Sequence, residues 1–200
     1  MHPASKKLFA DTDEKDVFSQ HTNSLAILTG LMNDADATTL AKKLISDNEL
    51  TQATIYFKYY LHLALTKAGL GNDYISWLSV WKQNLAMGMT TWAEISDINN
   101  TRSDCHAWGA SPNIELYRIV LGIDSDVPGF KKVKITPHLG SLTHASGTVS
   151  HPNGNIIVNY ERSDNNMKVS ITLPPNTPGY LLWRDKRYEL KPGENSLSVR

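Results

Sequence analysis

Two short runs hold the residues best suited to chemistry: Thr90-Thr91-Trp92-Ala93-Glu94 and Ser103-Asp104-Cys105-His106-Ala107-Trp108-Gly109. Trp92 and Trp108 offer flat apolar faces to the C–H side of a sugar ring, and Glu94, Asp104 and His106 can hydrogen-bond its hydroxyls. Together they describe a carbohydrate pocket. Glycoside hydrolysis normally takes two carboxyl groups flanking the bond, about 6.5–9.5 Å apart in inverting enzymes so that one can activate a water. Glu94 fits one of the two. The same residues also fit a solvated loop glutamate and core tryptophans, which isolated Glu and Trp most often are.

Other reactive side chains have simpler readings. Cys105 adjoins His106, but neighbours in an extended loop point apart, and nucleophile and base usually meet from distant parts of a chain. As the single cysteine it forms no internal disulfide. His138, His144 and His151 lie in the strand region at spacings that place no pair on one face, and His21 and His62 sit beside apolar residues in helices. No metal and no cofactor is implied. Trp77 and Trp81, four apart on a helix, read as core packing. Asp11, Asp13, Glu14 and Asp16 form a solvated acidic lead-in, a poor source of a buried acid.

The elements that must position this loop change period near Gly122. Upstream, Leu25, Leu28 and Met32 recur at helical spacing after Asn and Ser caps, and Leu40, Leu44 and Ile45 follow in a second segment. A third helix is expected over Ile55 to Ala68 with Ile55, Tyr59 and Leu63 on one stripe, ending at Gly69 and Gly71. A fourth, capped by Asn72 or Asp73, carries Ile75, Leu78, Trp81 and Leu85 and stops at Gly88. Residues 87–111 show no sustained period. A fifth helix starts at Ser111-Pro112 and presents Ile114, Tyr117, Val120 and Leu121.

From Lys131 the pattern alternates: Val133 and Ile135; Val149; Ile156, Val158 and Tyr160; Val169, Ile171 and Leu173. Pro152-Asn153-Gly154 and Asp164-Asn165-Asn166 read as hairpin turns, with further strands at 180–183, 187–190 and 197–199. The fold class is α+β, with helices in residues 1–122 and a small antiparallel β-sandwich in 123–200.

A hydrophobic fraction of 40% with 20% charged residues is that of a globular chain with a real core. The 20 basic and 20 acidic residues cancel, so no summed positive field favours nucleic acid or anionic lipid. Residues 1–10 carry no apolar stretch of signal-peptide length, and no apolar run approaches the roughly 20 residues that span a bilayer. A soluble chain with neither kind of partner is expected.

Several runs, taken in order, resemble the bacterial α-L-rhamnosidases: Phe18-Ser19-Gln20-His21-Thr22-Asn23-Ser24-Leu25-Ala26, Ile55-Tyr56-Phe57-Lys58-Tyr59-Tyr60-Leu61, Trp92-Ala93-Glu94 and His106-Ala107-Trp108. Gly122-Ile123, Pro128-Gly129-Phe130, Ile135-Thr136-Pro137 and Gly154-Asn155-Ile156 continue the series. The resemblance implies the last helices of a six-hairpin α/α barrel followed by a β-domain, and inverting hydrolysis of terminal α-L-rhamnosides. It assigns Glu94 as general base, His106 as a contact to rhamnose, and Trp92 and Trp108 as pocket walls.

The family's general acid, with the Asp and Arg residues around it, comes from the earlier half of the barrel and has no counterpart before His21. The chain therefore reads as a C-terminal fragment that is nearly inactive alone. Its partners are expected to be a rhamnose-containing glycoside or polysaccharide, and either the missing barrel half or a second copy covering the open helix faces. A non-catalytic carbohydrate-binding module and a different α/α-barrel glycosidase are the alternatives.

Overall fold

A computed structural model describes residues 7–14, 16–163 and 166–200. The chain divides into two compact units, Met1–Pro112 and Asn113–Arg200.

The first unit is helical. Helices α1 (Gln20–Thr29), α2 (Asp34–Ser46) and α3 (Lys58–Leu65) pack on one another around Leu8, Ile27, Leu40, Ala41, Leu44 and Leu65. The α1 start is local chemistry: the Ser19 hydroxyl accepts from the Thr22 amide at 3.2 Å and donates to Asp11 at 2.8 Å. Two buried polar residues of the Phe18–Ala26 run then tie backbone together. Asn23 accepts from the Phe9 amide at 2.8 Å and donates to the carbonyls of Phe9 and Ser19. Gln20 donates to the Leu44 carbonyl and accepts from the Ala53 amide, both at 2.8 Å. With these bonds made, neither side chain carries the penalty of an unsatisfied buried polar group.

The helical stripes differ from the expected ones. Leu25, Ile45 and Leu85 are exposed, whereas Ile27 and Tyr74 are buried; Trp81 is buried as its stripe requires. On α3 the buried residues are Leu61, His62, Ala64 and Leu65 rather than Tyr59 and Leu63. After α3 the chain makes a wide π-type turn (Thr66–Leu70), a 3-10 stretch (Gly71–Leu78) and only then α4 (Ser79–Ala86). Downstream of α3 each change of helix type alters the angle per residue, so the stripe counted at 3.6 residues per turn from Ile75 to Leu85 drifts off the buried face. His62 is a core histidine, ringed by Tyr74, Trp77 and Trp81 at 5.5–5.6 Å.

In the second unit α5 (Pro112–Glu115) runs into a π-type turn, Leu116–Val120. Among the described residues eight strands follow: β1 (Ile123–Ser125), β2 (Val133–Ile135), β3 (His144–His151), β4 (Gly154–Ser163), β5 (Asn166–Leu173), β6 (Gly179–Trp183), β7 (Lys186–Leu190) and β8 (Gly193–Val199). They form two four-stranded sheets, β1-β2-β6-β7 and β3-β4-β5-β8. The alternation places Ile156, Val158 and Tyr160 of β4 and Met167, Val169, Ile171 and Leu173 of β5 in the interior. Each such side chain contributes about 1.5–3 kcal/mol on burial.

Pro152-Asn153 closes the β3–β4 hairpin with His151 opposite Gly154. Of the turn expected at Asp164–Asn166, residues 164 and 165 lie outside the described residues; β4 and β5 pair as far as Ser163 opposite Asn166. One pair departs from the antiparallel pattern: β2 and β6 run parallel, Val133 opposite Gly179. Parallel neighbours need a long crossover, and the whole β3–β4–β5 meander supplies it. The β6–β7 hairpin turns on Arg184 and Asp185, both left-handed (φ 46° and 64°), the geometry a two-residue hairpin loop requires.

Candidate functional site

The segment between α4 and α5 is irregular but held. The His106 amide donates to the Trp92 carbonyl at 2.8 Å, and the Glu94 amide donates to the Ser103 carbonyl at 2.8 Å. Residues 92–94 and 103–106 thus run side by side in opposite directions and close the loop 95–102. The Thr101 hydroxyl reinforces the closure, accepting from the Glu94 amide at 3.2 Å and donating to the Ser103 carbonyl at 2.7 Å. Thr91 adds a hydroxyl bond to the Asp104 carbonyl.

On this frame Ala93 is fully buried and its neighbours lie at the surface boundary. The Glu94 side chain is 17% exposed and forms an ion pair with Arg102, itself 81% exposed. So exposed a cation is screened, and the pair contributes little to stability. It fixes the direction of the carboxylate. His106 is half-buried. Trp92 is half-buried and packs against Ile55, Val80 and Trp81. Trp108 is 57% exposed, its ring 4.9 Å from that of Tyr56 and tilted by 41°. The frame brings Trp92 and His106 together through backbone, and holds Glu94 two residues from Trp92.

Residues 122–198 match the family model described as the bacterial alpha-L-rhamnosidase C-terminal domain. The chain carries a rhamnosidase C-terminal domain. An alpha-L-rhamnosidase of Alteromonas sp. (strain LOR) is 39% identical over 61 residues, which are 30% of this chain and 7% of that protein. A GH78-family rhamnosidase of Bacillus sp. GL1 superposes with a TM-score of 0.79 at 27% identity, over 90% of this chain and 21% of that one. The alpha-L-rhamnosidase of Aspergillus terreus shares the fold, with a TM-score of 0.77 at 21% identity over 91% of this chain and 24% of its own. The chain therefore spans about a quarter or less of the relatives it matches.

Glu94, His106, Trp92 and Trp108 all precede residues 122–198 and lie outside the match to the family model. Three contacts there escape a reading of the sequence. Arg102 meets Glu94 only because the loop closes; nothing in a lone Arg eight residues on signals it. Tyr56 meets Trp108 across half of the helical unit. Trp81, read as packing, also donates from its indole nitrogen to the Gly109 carbonyl at 2.6 Å in the interior. A tryptophan is donor-only at that nitrogen, so a buried one needs such an acceptor.

Trp81→Phe keeps an aromatic ring and leaves the buried carbonyl unpaired, at a cost of about 1–3 kcal/mol. Urea denaturation should show that loss, and amide exchange at His106 and Gly109 should quicken. Unchanged stability together with unchanged exchange would show that Trp81 does not anchor the loop.

Proposed function

We propose that this chain is the C-terminal part of an α-L-rhamnosidase and that Glu94 is its general base. The observation that carries the reading is the Glu94 carboxylate itself: largely buried, aimed by Arg102, and fixed on the backbone frame that also holds His106 and Trp92. The match of residues 122–198 to a rhamnosidase domain supports a rhamnoside as the substrate class.

In an inverting reaction the carboxylate takes a proton from a water as its oxygen attacks the anomeric carbon, while a second carboxyl group protonates the departing glycosidic oxygen. Glu94 performs the first task. The second falls to an acid outside this chain. His106 hydrogen-bonds a rhamnose hydroxyl, and the exposed ring of Trp108 takes a C–H face of the sugar, with Trp92 as the inner wall. The substrate is a terminal α-L-rhamnoside of a glycoside or polysaccharide.

A base without its acid forgoes acid catalysis, about 100- to 10,000-fold, together with the sugar contacts that accompany the acid. The purified chain should accordingly release almost no nitrophenol from nitrophenyl α-L-rhamnoside, and should gain activity when supplied with the preceding portion of a rhamnosidase. Turnover by the chain alone, abolished by Glu94→Gln, would overturn the division of the two carboxyl groups.

A further inference from the structure

The strand unit holds a groove of about 450 Å³ that the catalytic reading does not use. We propose that it is a second, non-catalytic binding site for a neutral pyranose. It follows β3, the outer strand of its sheet, and its walls include the rings of Tyr117 and Phe130, the Arg118–Asp124 pair and the residues Thr148 and Ser150.

The lining selects the chemistry. Arg118 gives Asp124 two hydrogen bonds, 2.9 and 3.2 Å, from one nitrogen, so their charges compensate. A compensated pair presents hydrogen-bonding edges without net charge, which suits hydroxyl groups better than an anion or a cation. Along β3 the groove is lined by Thr148, Val149 and Ser150; Val149 shares the face of Gly147 and His151, and strand alternation turns the other two side chains to the opposite face. Tyr117 and Phe130 contribute the flat apolar surface that a sugar's C–H face requires. The volume lies in the range of small-molecule sites.

Both aromatic walls are fixed in advance. Phe130 follows Gly129 into the left-handed region, φ 55° after φ 74°, a conformation a bulky side chain keeps only where its surroundings enforce it. His151 enforces it: Nε2 donates to the Phe130 carbonyl at 2.8 Å while Nδ1 accepts from the Asn153 amide at 3.1 Å, and the two rings meet edge-on at 5.0 Å. On the other wall Gly147 lets the helix close on β3. A Cβ there would lie 2.5 Å from Leu121 Cδ1 and 3.4 Å from Tyr117 Cε1. Walls that need no ordering lower the entropic cost of binding. The Pro128-Gly129-Phe130 motif, which has no part in the catalytic reading, gains a role.

The choice of a sugar as occupant rests on the rhamnosidase reading; the geometry of the groove does not. The test is a backbone-amide NMR titration of the full chain with methyl α-L-rhamnoside, and separately with methyl α-D-glucoside. Saturable shifts at residues 117, 124, 125, 130 and 148–150 with either sugar are expected. Tyr117→Ala should weaken that binding at least tenfold. So should Phe130→Ala, which removes the other aromatic wall. Shifts confined to residues 92–108, or no saturable shift at the groove in the millimolar range with either sugar, would overturn the proposal. Glu94→Gln leaves the groove titration unchanged, so failure of the catalytic reading and failure of the groove are read separately.

Discussion

Glu94→Gln, introduced into this chain after it is joined to the preceding portion of a rhamnosidase such as that of Bacillus sp. GL1, is expected to lower kcat on nitrophenyl α-L-rhamnoside by about 100- to 10,000-fold. That is a loss of about 2.7–5.5 kcal/mol of transition-state stabilisation. Glutamine has the shape of glutamate and keeps an oxygen toward Arg102, so the 92–106 frame and the affinity for substrate persist and KM changes little. What disappears is the capacity to accept a proton from water. Azide attacks without needing deprotonation and should restore part of the rate to the variant, with a glycosyl azide as product. A variant with wild-type kcat would remove Glu94 from the chemistry. Equal losses in kcat and in folding stability, with no azide rescue, would make it a structural residue.

Gly122→Ala is the change expected to cost the most stability. Gly122 sits at φ 72°, and a Cβ built on it would lie 2.1 Å from the Thr136 carbonyl carbon and 2.3 Å from the Pro137 nitrogen. Its own carbonyl accepts from the Thr136 amide at 2.8 Å, so the two backbones are locked in contact where the helix gives way to β1. The obstacle is backbone, which cannot rotate aside as a side chain would. A loss of about 3–5 kcal/mol is expected, large against the 5–15 kcal/mol by which domains are usually stable. Gly193 separates the causes: it too is left-handed, φ 89°, but nothing lies within 4 Å of an added Cβ. Gly193→Ala should cost only the backbone term, about 1–2 kcal/mol. Denaturation midpoints measure both, and a Gly122→Ala variant no less stable than Gly193→Ala would show that the close approach is not what holds the junction.

The groove and the loop differ in how far each was legible. Trp92, Glu94, His106 and Trp108 stand out because aromatic and ionisable residues gather in a stretch without period. Tyr117, Arg118, Asp124, Phe130 and Thr148 do not, because they come from a helix end, an unread short strand, a turn and a sheet edge that meet only in the folded unit. Helical stripes were the least reliable feature. Gly69, at φ 88° within the π-type turn, and the 3-10 stretch after it break the angular count on which a stripe depends.

The sequence by itself determined the switch from helix to strand, seven of the eight strands, the Pro152-Asn153 hairpin and the identity of the loop that carries Glu94. These are local properties: an alternation of period two and a turn's backbone angles are written in neighbouring residues, and burial on one face holds the register. Tertiary structure alone decided the parallel pairing of β2 with β6, the Glu94–Arg102 pair, the anchoring of Gly109 by Trp81 and the near contact of Gly122 with Thr136. Each joins segments whose meeting depends on chain closure, and no spacing along the sequence encodes which distant partner a side chain or a backbone amide will find.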